Sequence, residues 1–167
     1  VYEQSTIQTF YMLADLTIDG ISAEGDGLAP PLAEGGDCYN NPGTCDVIGT
    51  FIDRDGSEVC VGWTYGGING GVMTVPTMGF DGTVPSSYLT MGEIPYMKVF
   101  DASNGSILDV TTATELPGFS YNGIYFIQGT STATNGSGGN LVPDCSDEFP
   151  DCAANYYDCA GECGGSA

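Results

Sequence analysis

Apolar and polar residues alternate along this chain in short runs that turn residues interrupt, a pattern that predicts strands. The first run, residues 6–18, is rich in Thr, Ile, Phe and Tyr and ends at the turn dipeptide Asp19-Gly20. Residues 47–53, a turn at Arg54-Asp55-Gly56, and residues 58–65 read as a hairpin. In its second arm Val59, Val61, Trp63 and Tyr65 share one face by period-two alternation, so Trp63 is expected in the core beside the two valines. Residues 71–78, 94–100, 106–112 and 121–128 supply further strands. Glycine and proline, 26 and 9 residues, break almost every apolar run, so long helices are not expected. Short strands at this spacing predict an all-β fold, an antiparallel β-sandwich of Ig-like or jelly-roll-like type with a disulfide-rich C-terminal tail.

The first run differs from the others. Thr6, Gln8, Phe10, Met12, Ala14, Leu16 and Ile18 lie on one face by strict alternation, and Ile7, Thr9, Tyr11, Leu13 and Asp15 on the other. Both faces are partly apolar, as expected for a strand enclosed by protein on two sides. A loop-like stretch, residues 21–45, separates it from the rest and is far longer than a usual connection. A strand on such a tether pairs with its own sheet or inserts into a neighbour's, and the sequence leaves both open. Ile7, Phe10, Met12, Leu13, Leu16 and Ile18 are the candidate assembly residues. The resulting organisation is an N-terminal strand (1–20), a loop (21–45), a sandwich core (46–128), a Gly/Ser/Thr-rich linker (129–140) and an acidic, Cys-rich tail (141–167).

Composition then narrows the functional classes. Hydrophobic residues make up 41% of the 167, enough for a real core. The net charge is −20, histidine is absent, and Arg54 and Lys98 are the only basic side chains. Such a surface repels phosphate backbones and anionic membranes, and its natural counter-charges are divalent cations such as calcium. Without histidine the usual general base of nucleophilic catalysis is missing, and no catalytic residue stands out. Seven cysteines point to an oxidising compartment. No apolar run approaches the roughly 20 residues of a membrane span, and Val1 is read as the start of a mature chain freed of its export signal. The expected location is secreted, extracellular or at the cell surface.

The blocks Asp46-Val47-Ile48-Gly49-Thr50-Phe51 and Cys60-Val61-Gly62-Trp63-Thr64 resemble the core of secreted bacterial β-sandwich domains. The likeness continues through Val75-Pro76-Thr77-Met78-Gly79, residues 94–103 and residues 115–120. The tail, with Asp144-Cys145, Asp151-Cys152 and Asp158-Cys159 seven residues apart and Gly161-Glu162-Cys163 at its close, is similar to acidic, Cys-containing repeats in the style of thrombospondin type 3 calcium repeats. The resemblance covers residues 45–167 and implies a bacterial surface protein with no established catalytic activity.

Several residues carry candidate chemistry. Cys38 and Cys45 bracket a short turn-rich loop that a disulfide would close. Cys60 is either a buried thiol or bonded to the tail. Cys145, Cys152, Cys159 and Cys163 lack the paired spacing of zinc knuckles, so disulfides are expected, with connectivity open. Asp144, Asp147, Asp151 and Asp158 in the tail, and Asp53 and Asp55 at the hairpin turn, are candidate calcium ligands, against the plainer reading of a solvated acidic surface. Gly66-Gly67 and Gly70-Gly71 read as a flexible turn. Asn104 and Asn135 each begin an Asn-Gly-Ser acceptor pattern for N-linked sugar. The functional expectation is a structural subunit of an extracellular filament or surface assembly that polymerises head to tail by strand insertion. The alternative is a carbohydrate-binding or adhesion module with glycan partners.

Overall fold

The computed structural model describes residues 2–134. They form the expected all-β fold: one eight-stranded sheet, curled so that its two halves pack face to face. The strands are β1 (Gln8–Ile18), β2 (Ile21–Ser22), β3 (Val47–Arg54), β4 (Ser57–Tyr65), β5 (Met73–Met78), β6 (Tyr96–Asp101), β7 (Ser106–Thr111) and β8 (Ile124–Ala133). A short helix, α1 (Asp37–Asn40), lies in the loop between β2 and β3. The order across the sheet is β2-β1-β8-β7-β6-β3-β4, with β5 paired to β1. The sheet is mixed rather than purely antiparallel, because β1 and β8 run parallel. A long crossover separates these two strands in sequence, which a parallel pair requires.

Turn chemistry sets the hairpins. Asp55 and Gly56, between β3 and β4, both have positive φ (56° and 82°), as a two-residue hairpin turn requires. Asp19 and Gly20 do the same between β1 and β2 (48° and 86°).

The main core lies between the halves. It joins Tyr11, Leu13 and Leu16 of β1 to Ile48 of β3, Val75 of β5 and Val99 of β6. A second cluster, including Tyr2, Val61, Met78, Leu89 and Phe119, fills one end of the sandwich. Two irregularities alter the expected faces. Opposite Thr50 and Phe51 the partners step from Gly62 to Cys60, so Val61 is an extra residue on β4. The bulge turns Trp63 away from the strict alternation with Val61. Trp63 is half-buried against the second cluster rather than enclosed in the main core, while Val61 is fully buried. In β1 the register on β8 shifts between Leu13 and Asp15. The buried set therefore changes phase, from Thr9, Tyr11 and Leu13 to Leu16 and Ile18, and the strict alternation expected through residue 18 is corrected.

Candidate assembly strand and its groove

β1 occupies a slot with a strand on each edge. Gln8 to Leu13 pair antiparallel with Met78 to Met73 of β5, and Phe10 to Ile18 pair parallel with Ile124 to Ala133 of β8. In the isolated chain this pairing is made in cis. Without β1, β5 and β8 would face each other across two strand spacings, roughly 10 Å. The inward side chains anchor the strand. Tyr11 stacks on Tyr125 at 5.7 Å and donates its hydroxyl to the Pro117 carbonyl at 2.7 Å. Burial pushes the Tyr11 phenol well above its ordinary pKa, followed by repulsion from Tyr125. On the outer face Phe10 and Met12 are half-buried beside Ile124 and Phe126 of β8, which are 69% and 51% exposed.

Polar contacts hold the start of the strand. The Thr6 N–H and hydroxyl both donate to Asp81 at 2.7 Å, and Thr83 donates twice to the other oxygen of the same carboxylate. These bonds, Thr6 first, hold the Asp81 carboxyl far below the usual range. Ser5 donates its hydroxyl to the Gly79 carbonyl at 2.6 Å, and the Ile7 carbonyl accepts the Gly79 N–H at 3.0 Å. Ile7 thus sits just before β1 rather than within it.

The stretch after β1 is not a free tether. Ala23 N–H donates to Leu16 at 2.8 Å, Gly27 N–H to Gly66 at 2.8 Å, and Tyr65 N–H to the Leu28 carbonyl at 3.0 Å. Asp46 accepts the Glu24 N–H at 2.9 Å. Gly25 and Gly66 allow the close approach, since a Cβ on Gly25 would meet the Gly66 carbonyl oxygen at 2.7 Å. Gly67 is similarly crowded, with the Gly71 carbonyl oxygen 2.1 Å from a built Cβ. The glycine-rich segment read as a flexible turn is instead a closely packed one containing a short 3-10 turn over Ile68–Gly70. β8 also continues through residues that composition had assigned to a linker, up to Ala133.

The other candidate residues are dispersed. Cys38 and Cys45 form the expected disulfide. Cys60 is itself a disulfide cysteine. Asp53 and Asp55 are exposed, and Asp53 accepts the Gly56 N–H at 2.9 Å, an ordinary turn bond. Among the described residues no group of three or more His, Cys, Asp or Glu side chains could hold a metal ion. Asn104 is exposed in the β6–β7 turn, and its side-chain oxygen accepts the Ser106 N–H at 3.0 Å. Asn135, the tail aspartates Asp144, Asp147, Asp151 and Asp158, and the tail cysteines Cys145, Cys152, Cys159 and Cys163 lie outside the described residues.

Sequence reasoning missed two polar clusters. Arg54 forms a two-pronged ion pair with Glu93, 2.7 Å on each prong, and also donates to the Ser87 and Tyr88 carbonyls. It pins the long β5–β6 connection over the end of the sandwich. Lys98 is only 7% exposed and lies 2.9 Å from Glu58 and 3.4 Å from Asp109. Neither cluster has a local signal in sequence, because its members meet only across strands. No protein-family model, curated protein or solved structure matches this chain.

Proposed function

We propose that this chain is a non-catalytic structural subunit of an extracellular filament or cell-surface assembly, joined head to tail by exchange of β1 between copies. The observation that carries the reading is the slot between β5 and β8, which a strand near the chain's N-terminus fills. The main-chain hydrogen bonds and inward contacts of that slot are the same whichever copy donates the strand, so exchange costs little beyond opening a hinge. Residues 2–28 would move as one unit, because their contacts run to the receiving fold. Residues 29–36 would be the hinge, whose local turns straighten to span up to about 26–29 Å. The net charge would keep filaments from bundling, and the Cys38–Cys45 disulfide fits an oxidising location. Calcium at the tail aspartates and sugar at Asn104 and Asn135 belong to the same proposal.

Particle size by light scattering and electron microscopy across a concentration series tests it. Filaments are expected from the intact chain and not from one lacking residues 1–18, and a synthetic peptide of those residues should bind the truncated chain. Filaments of unchanged form without residues 1–18, or an intact chain that stays monomeric throughout, would overturn the reading. Retention of that monomer on immobilised glycans would favour the adhesion module instead.

A further inference from the structure

The outer face of β4, β3 and β6 is more buried than an outer face should be, whereas Asp109 beside them on β7 is exposed. Register places Cys60, Phe51 and Tyr96 in one row of that face, and Trp63, Gly49, Lys98 and Asp109 in the next. The opposite side chains, Ile48, Met97 and Val99, belong to the main core. Phe51 belongs to neither core cluster, yet it is 3% exposed and stacks on Tyr96 at 6.1 Å. Lys98 in the adjacent row is 7% exposed. A phenyl ring and an ammonium group directed away from the core reach such burial only under a cover.

Cysteine arithmetic indicates what the cover is. Cys60 is in a disulfide, and it projects from this same face. Cys38 and Cys45 are bonded to each other. Within one chain the remaining cysteines are Cys145, Cys152, Cys159 and Cys163, all in the tail. The reach is sufficient. β8 ends at Ala133, paired with Val110 of β7, and Cys60 lies four strand spacings across in the order β8-β7-β6-β3-β4, roughly 19 Å. The 11 residues between Ala133 and Cys145 can span about 36–40 Å when extended.

We infer that the tail, residues 141–167, docks across the outer face of β4, β3 and β6, tied there by a disulfide between Cys60 and one tail cysteine. The bond forms by exchange. Two thiols lose two protons and two electrons to the disulfide of a thiol oxidoreductase, which leaves as a dithiol. The tail is then part of the domain rather than a separate appendage, and its four cysteines cannot form two disulfides among themselves. The inference holds whether β1 stays in its own sheet or is exchanged.

Peptide mapping of the unreduced, native full-length chain tests the bond. A Cys60 peptide linked to one containing Cys145, Cys152, Cys159 or Cys163 is expected. Lys98, the chain's sole lysine, tests the docking. An amine-acetylating reagent should modify it slowly in the native chain and on the order of tenfold faster in full-length Cys60→Ser, as release of the tail opens the site. A Cys60 that alkylates without reduction, or is linked to a second copy, would overturn the inference. So would equal Lys98 acetylation rates in the native chain and a folded Cys60→Ser variant. If Cys60→Ser does not fold, the native peptide map decides.

Discussion

Gly62 of β4 lies against Pro76 of β5, so closely that a Cβ on Gly62 would stand 1.7 Å from the Pro76 carbonyl oxygen. This is where the two half-sheets meet on the side opposite the β7–β8 corner. Next to it Thr50 and Thr77, both fully buried, share a 2.9 Å hydrogen bond. The glycine permits the approach, and the threonine pair satisfies polar groups the approach removes from water. Gly62→Ala must push backbone against backbone. It should destabilise the fold by about 3 kcal/mol or more, read from denaturant midpoints at unchanged slope. A change below about 0.5 kcal/mol would mean that the half-sheets do not meet here.

The Arg54–Glu93 pair should shape acid stability. The Arg54 hydrogen bonds, foremost, bring the Glu93 carboxyl down to about 2, assisted by the Thr90 N–H and hydroxyl. A carboxyl depressed in the folded state contributes stability that is present above its unfolded value near 4.5 and is lost as pH falls towards 2. The Glu93→Gln variant should therefore be less stable at neutral pH and show a flatter loss across that window. Thermal midpoints from pH 7 to pH 2 check both parts.

The Cys38–Cys45 disulfide closes a short loop that packs on the segment after β1, with Cys38 donating its N–H to Asp26 at 3.1 Å. Converting both cysteines to serine should cost about 2.5 kcal/mol on the chain-entropy model, with the β-sheet spectrum retained. A far larger loss would assign this loop a packing role beyond its cross-link.

Trp63 contacts the second core cluster and meets Tyr65 edge-on at 5.1 Å. Because it is half-buried, Trp63→Ala should cost about 2–3 kcal/mol, below the roughly 3–5 of a fully enclosed tryptophan. Its fluorescence should lie between buried and solvated positions and shift to the red on unfolding. A native spectrum already at the solvated position would contradict this packing.

Strand existence was legible in the chain because alternation and turn dipeptides are local. Asp19-Gly20 and Asp55-Gly56 carry the positive φ values their turns need, and the seven predicted runs each correspond to an observed strand. The Cys38–Cys45 bond was legible for the same reason, since its ends are only seven positions apart in sequence. Phase was less secure. One extra residue at Val61 moved Trp63 off the valine face, and one register shift near Ala14 reversed the faces of β1, neither of which has a marker in the alternation itself.

The sequence by itself determined the all-β class, the strand positions, the acidic surface and the local disulfide, because each depends on neighbours along the chain. Only the tertiary structure decided that β1 lies between β5 and β8, that β1 runs parallel to β8, and that the long segment after β1 is fastened to β4. It alone gathered Arg54 with Glu93 and Lys98 with Glu58 and Asp109. Pairing partners are chosen by which apolar faces and main-chain edges can be covered together, a condition on the whole sheet that no run of residues states alone.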